Sequence, residues 1–204
     1  LLERLRADAR RVKAATRGAM VMQAQSDVLI DWRTFDLWVD RTPTFAEEII
    51  SVGPLDAIVH WLSCIETPQL RTLVALSSMS VESKRDALDP QERALASRIL
   101  AAESQLIALC DKRKIRWTIL RPTLIWGAGM DRSLTPLYQF AHRYRIAPLP
   151  MAVGGLRQPV HADDIAQACL RSMTHDAAAN QIIPIGGGEV LAVSAMWQRV
   201  IALA

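Results

Sequence analysis

No stretch of the 204-residue sequence is apolar over the ~18 positions needed to span a bilayer, which argues against a membrane helix. The opening stretch LLERLRADARRVK is charged throughout and does not read as a signal peptide. Cysteine is scarce. Cys64, Cys110 and Cys169 lie far apart, with no CxxC pair and no close Cys/His cluster, so neither a zinc site nor a disulfide framework is indicated. They read as buried free thiols of a reducing cytoplasm. Charge of one sign is also lacking, with 24 Lys and Arg against 21 Asp and Glu. No basic block or aromatic-basic stripe is present, so no nucleic-acid partner is expected. There is no internal repeat and no low-complexity linker, and the length fits one domain with a sizeable core.

What is present is alternation of short apolar runs with helical patterns. RVKAATR (11–17), SDVLIDW (26–32), LDAIVHWL (55–62), RTLVALSS (71–78), IRWTILRP (115–122) and NQIIPIGGG (180–188) read as strands. Helical spacing marks the opening segment, where Leu1, Leu2, Leu5 and Ala9 share one side, and TFAEEIISVG (44–53), which ends on Gly53. DPQERALASRILAAESQLIALCDKRK (89–114) is the longest helix. Asp89 can cap it, Pro90 suits its first turn, and Lys112, Arg113 and Lys114 suit its negative end. Further helices are expected over 134–144, 162–173 and 194–204. This order predicts an α/β fold, a doubly wound parallel sheet with helices on both faces. Ligands of such sheets sit beyond the carboxyl ends of the strands. The exits to inspect are therefore Arg17–Gly18, Trp61–Ser63, Ser77–Ser80 and Pro122–Gly127.

ALSSMSV, LRPTLIWGAG, RQPVHADDIA and IIPIGGGEVLAVSAMW occur in this order. Together they resemble the extended and atypical short-chain dehydrogenase/reductases, the NAD-dependent epimerase/dehydratase superfamily, in its nucleoside-diphosphate-sugar epimerase-like members. The resemblance runs over roughly the whole chain. It implies a Rossmann-type domain with a small C-terminal substrate lobe built from about 127–160 and 186–204. It implies a dinucleotide cofactor, a nucleotide-sugar or similar small-molecule substrate, and a homodimer through helix 89–114. The family's first strand and GxxGxxG turn are not found near the start. LLERLRADARRVKAATR is similar to the helix after that turn and then the second strand, so strand and turn are expected upstream of Leu1.

The same resemblance assigns candidate residues. Arg17, at the end of the second strand, would pair with a 2′-phosphate and favour NADP over NAD; otherwise it is a solvated surface arginine. Asp36 resembles the acid that meets the adenine ring, or is an ordinary loop aspartate. Ser77 and Pro122 would border the cofactor. Ser78 would hydrogen-bond the substrate oxygen, with Ser80, Trp126 and Arg157 around the substrate; a serine turn closing a strand end is the plainer reading of the serines. Arg157 would bind a diphosphate, or else pair with Asp163 or Asp164. His161 and Asp164 read as structural, and His60 as core or cofactor-adjacent.

The family's tyrosine and lysine should stand one turn apart on helix 89–114. Counted back from Glu103, these positions hold Leu95 and Ile99, or Ala94 and Arg98 one residue earlier. The only tyrosines are Tyr138 and Tyr144. The usual proton relay is therefore expected to be lacking, with Leu95, Ile99, Ala102 and Leu106 forming a packing face. An enzyme that moves its proton through Ser80 or water, and a non-catalytic dinucleotide-binding sensor or scaffold, both fit these residues.

Overall fold

The computed structural model describes residues 1–8, 11–17, 29–127, 129, 131, 133–146 and 154–204. Gly18 and residues 26–28 of the second strand candidate lie outside them.

The first elements are α1 (Leu2–Ala7), β1 (Val12–Thr16) and β2 (Ile30–Thr34). The two strands pair in parallel, with Val12 opposite Ile30 and Thr16 opposite Thr34. A second, four-stranded sheet has the order β3-β4-β5-β9 and is parallel throughout. Its strands are β3 (Glu48–Ser51), β4 (Thr72–Leu76), β5 (Arg116–Pro122) and β9 (Gln181–Ile185).

Two segments differ from their sequence reading. TFAEEIISVG holds a strand, not a helix. Its adjacent isoleucines point to opposite faces of the sheet: Ile49 packs against one apolar cluster and Ile50 against another. Period-2 placement serves that position, whereas a helix would have laid the pair on neighbouring flanks of one surface. LDAIVHWL is not a strand but the body of α2 (Leu55–Cys64). Trp61–Ser63 is therefore no strand exit, and His60 stands mid-helix. The run is apolar nearly all round because α2 is enclosed, and periodicity alone does not separate that case from a covered strand. Pro54 at its entry and Asp56 in its first turn were the available signals.

α4 (Pro90–Arg113) forms as expected. Asp89 accepts from the Gln91 backbone N–H at 2.8 Å, and Lys114 closes the far end in the left-handed region at φ 58°. Together α2 and α4 cover one face of the sheet. Leu62, Leu106 and Cys110 pack there against Leu73, Ala75 and Ile119. Of the expected packing face, Ala102 and Leu106 lie in this cluster and Ile99 packs against it, while Leu95 is half-buried outside it. α6 (Ala162–Thr174) covers the other face, with Ile165, Cys169 and Met173 against Val74 and Leu120. Alternate residues of β4 and β5 thus feed opposite cores, the arrangement of a doubly wound sheet.

Beyond β5 the chain forms β6 (Ile125–Trp126), α5 (Leu134–Tyr144), β7 (Leu156–Arg157) and β8 (Val160–His161). It ends with β10 (Leu191–Ala192) and α7 (Val193–Ala202). β7 and β10 pair antiparallel, and Leu134, Val193 and Met196 form a third, smaller cluster. Among the described residues, no helix is long and apolar enough to cross a membrane.

Candidate functional site at the carboxyl edge of the sheet

β4 and β5 run side by side and leave the sheet at the same edge. The loops that follow are bound together. Ser77 N–H donates to the Leu120 carbonyl at 2.7 Å, and Met79 N–H to the Pro122 carbonyl at 3.0 Å. Thr123 N–H in turn reaches the Ile185 carbonyl of β9 at 2.9 Å, while its hydroxyl donates to the Gln158 carbonyl. Gln158 Nε2 donates to the Gly187 carbonyl at 2.7 Å. The serine loop, the proline loop, the RQP segment and the glycine turn therefore form one continuous rim. Gly187 is required there: a Cβ on it would lie 1.9 Å from the Pro159 carbonyl oxygen.

Within the serine loop, Ser78 Oγ donates to Ser80 Oγ at 3.0 Å and accepts from the Ser80 backbone N–H at 3.1 Å. Both serines are half-buried. Ser77 behaves differently: its hydroxyl donates to Glu103 Oε1 at 2.5 Å, beneath the loop. Glu103 is 1% exposed and pairs with Arg121 of β5. Their contact is two-pronged, Nε to Oε1 at 2.9 Å and Nη2 to Oε2 at 2.6 Å. The bond to Glu103 is the main reason the Arg121 guanidinium sits above its usual pKa, so the arginine is fixed as a cation. Pro122 is buried, and it contributes to the rim through the carbonyl that Met79 caps.

Trp126 and His161 face each other across the β6–β8 pair, ring centroids 4.9 Å apart and edge to face. Gly127 lies beside them with φ +96°; a side chain there would strike His161 Nε2 at 2.4 Å. His161 caps α6, its Nδ1 accepting from the Asp163 N–H at 3.2 Å. The structural reading of His161 is thus the observed one, although the helix cap is the histidine and not Asp164. Arg157 is exposed and donates to the Leu156 carbonyl at 2.9 Å. Asp163, its expected alternative partner, pairs with Arg4 of α1 instead, and that contact holds the Asp163 carboxyl below the usual range.

Arg17 and Asp36 lie at the exits of the β1–β2 pair, which among the described residues shares no ladder with the four-stranded sheet. Arg17 is exposed. Asp36 shapes its own turn, its Oδ1 accepting from the Trp38 N–H at 2.9 Å. His60 meets the Trp38 ring at 5.1 Å and lies 3.1 Å from the Arg41 guanidinium. On α4, Ile99 is packed in the core, and Arg98 faces Asp56 of α2 at 3.8 Å. Among the described residues, no group of three or more His, Cys, Asp or Glu could hold a metal ion.

The sequence reading missed Arg121 and Glu82, which the structure joins to the rim. A signal existed: Arg121 interrupts the apolar run of β5, and Glu103 sits on the packing face of α4. A lone cation and a lone acid on buried faces imply each other.

The architecture is a Rossmann-like α/β fold, the class shared by the NAD-dependent epimerases and dehydratases. No model of a protein family matches the chain. UDP-glucose 4-epimerase of Vibrio cholerae is 25% identical over 95 residues, which is 47% of this chain and 29% of that protein. Among solved structures, MoeE5 in complex with UDP-glucose and NAD superposes with a TM-score of 0.78 at 16% identity, covering 100% of this chain and 77% of that one. The dTDP-glucose 4,6-dehydratase of Bacillus anthracis in complex with NAD gives 0.77 at 12%, covering 99% and 76%. UDP-N-acetylglucosamine 4-epimerase from Bacillus cereus gives 0.72 at 13%, covering 98% and 75%. At such identities the likeness is one of fold.

Proposed function

We propose that the protein binds a nicotinamide dinucleotide and acts on a nucleotide sugar or a similar small molecule. The observation that carries this reading is the rim itself, where the serine and proline loops are hydrogen-bonded together at the carboxyl edge of a parallel sheet. Support also comes from the structural neighbours, two of which hold NAD and one of those UDP-glucose as well.

The donor set fits such ligands in two parts. Ser78, Ser80, Trp126 and Arg157 offer hydroxyls, an aromatic face and an exposed cation, which suits a sugar and its diphosphate. Arg17 and Asp36 suit the adenosine half. No glycine precedes Gly18, so the pyrophosphate is not assigned to residues of this sequence. When bound, the nicotinamide supplies or accepts hydride. In this reading Ser77 and Pro122 border it, Ser77 by its place in the loop because its hydroxyl is engaged with Glu103. Ser78 holds the substrate oxygen, turning its hydroxyl from Ser80 to the ligand. Ser80 or a water moves the proton, since α4 carries no tyrosine. The segments around α5, β7, β10 and α7 form the substrate lobe. A homodimer through α4, where Leu100 is 41% exposed, and a cytoplasmic setting belong to the same reading.

Calorimetric titration with NADPH and NADH, followed by a screen of carbonyl and sugar-nucleotide substrates, tests it. Binding with turnover that Ser78→Ala abolishes is the expected result. Binding without turnover would return the sensor reading, and binding of neither dinucleotide would refute both. Arg17→Ala should weaken NADPH about tenfold, one charge-assisted contact, and leave NADH nearly unchanged. Equal weakening of both would remove the preference for NADP.

A further inference from the structure

The serine loop runs into α3 (Ser80–Ser83), a helix of only four residues. One turn does not hold itself together, because nucleation fixes many dihedrals for a single hydrogen bond. Met79 at its entry provides no side-chain cap. Side chains from α3 and its exit anchor it instead. Val81 is 1% exposed. Lys84 Nζ donates to Glu92 Oε1 of α4 at 2.8 Å. Glu82 Oε1 accepts from Arg121 Nη1 at 2.7 Å. The remaining edge of the same guanidinium forks onto Glu103, which also accepts from Ser77 Oγ. Beside the backbone bonds of Ser77 and Met79 to β5, a single planar cation on that strand holds side chains at both ends of the loop: the start through Glu103 and Ser77, the end through Glu82. The serine pair lies between these two fixed points.

We infer that Arg121, with Glu103 and Glu82, is a positioning device that sets the Ser78–Ser80 hydroxyl pair at the rim. Arg121 need not touch a ligand to do so. Its effect on ligands rests on the function proposed above; its effect on the loop does not. The fork geometry is the essential property, because an ammonium keeps the charge but cannot engage Glu103 in two prongs and Glu82 at once.

Three variants separate positioning from stability. Glu82→Ala removes only the half-exposed arm. Arg121→Lys keeps the charge and loses the fork. The double variant Arg121→Met with Glu103→Leu replaces the buried pair by apolar groups of similar volume, a change such pairs often tolerate. Amide hydrogen exchange is followed over residues 77–85 and over β4, with affinity for UDP-glucose measured in the presence of NADH. In all three variants, exchange over 78–84 should rise at least tenfold while β4 amides stay as in the parent. UDP-glucose affinity should fall by about tenfold. Unchanged exchange in Glu82→Ala, or parent-like exchange in Arg121→Lys, overturns the device. Faster exchange with unaltered UDP-glucose affinity reduces it to a structural brace. If the parent protein binds neither NADH nor UDP-glucose, the proposed function fails, and the exchange comparison still decides whether the clamp sets the loop.

Discussion

Cys110 and Cys169 are each completely buried, and burial pushes their thiols up to about 12 and about 11. The neighbouring Asp111 carboxylate adds to the rise at Cys110. A thiol that far above neutral pH holds almost no thiolate, and the thiolate is the reactive form. Cys64 is exposed at the end of α2. A disulfide reagent applied to the native protein at pH 8 should therefore titrate one thiol, and three after denaturation. More than one fast-reacting thiol in the native state would contradict the packing of α4 or α6. The sequence reading of all three cysteines as buried free thiols holds for Cys110 and Cys169 and fails for Cys64, which stands exposed at the end of a helix whose apolar run reads equally well as a covered strand. Site residues divide the same way. The strand exits marked Ser78, Ser80 and Trp126, and the resemblance of RQPVHADDIA marked Arg157. Nothing in the serines themselves shows that the Ser77 hydroxyl turns inward to Glu103 while Ser78 and Ser80 bond to each other.

At the scale of elements, α5 depends on an aspartate two residues ahead of its formal cap. Asp131 accepts from the N–H groups of Ser133, Leu134 and Thr135 and from the Thr135 hydroxyl. Burial pushes this carboxyl up, but those four bonds together outweigh it and hold the pKa at about 2. An unfolded aspartate titrates near ~3.9, so the folded value is depressed. Its contribution is complete above about pH 4 and is lost as pH falls toward 2. Asp131→Ala should cost about 1–2 kcal/mol in urea unfolding at pH 7, and the gap to the parent should narrow below pH 4. A gap that does not change with pH would assign the loss to something other than the carboxylate. Helix ends of this kind were partly readable. Asp89 and Pro90 announce α4 because a cap residue and a first-turn proline stand together. Pro54 announces α2 more faintly, since it is followed by an uninterrupted apolar run. β3 was misread because Ile49 and Ile50 are adjacent, and only the presence of two cores shows that each isoleucine has its own.

For the whole molecule, the two large clusters share the sheet, and β4 and β5 contribute to both. Opening either core therefore disturbs the same strands, and these should be the last amides to exchange. The third cluster has a different relation to the rest. Leu134, Val193 and Met196 draw partners from Leu124, Leu191, Trp197 and Val200, all beyond the end of β5. The chain reaches it through the two-residue strands β6, β7, β8 and β10. Few ladder bonds couple it to the sheet, so it should open before the sheet does. Met196 is 5% exposed at its centre, and truncation to alanine at such a site costs about 2–5 kcal/mol. If the small cluster opens on its own, Met196→Ala should speed amide exchange in α5 and α7 by at least about thirtyfold, the factor that corresponds to 2 kcal/mol. Exchange in β4 and β5 under the same native conditions should not change. Equal acceleration in all four elements would mean one cooperative unit, and would bind the rim residue Arg157, which pairs with Leu191, to the stability of the whole sheet. Independent opening would instead let that side of the rim move while the Ser78–Ser80 side stays fixed. Under the proposed function, that difference would let Arg157 give way to an entering ligand while the Ser78–Ser80 pair stays in place.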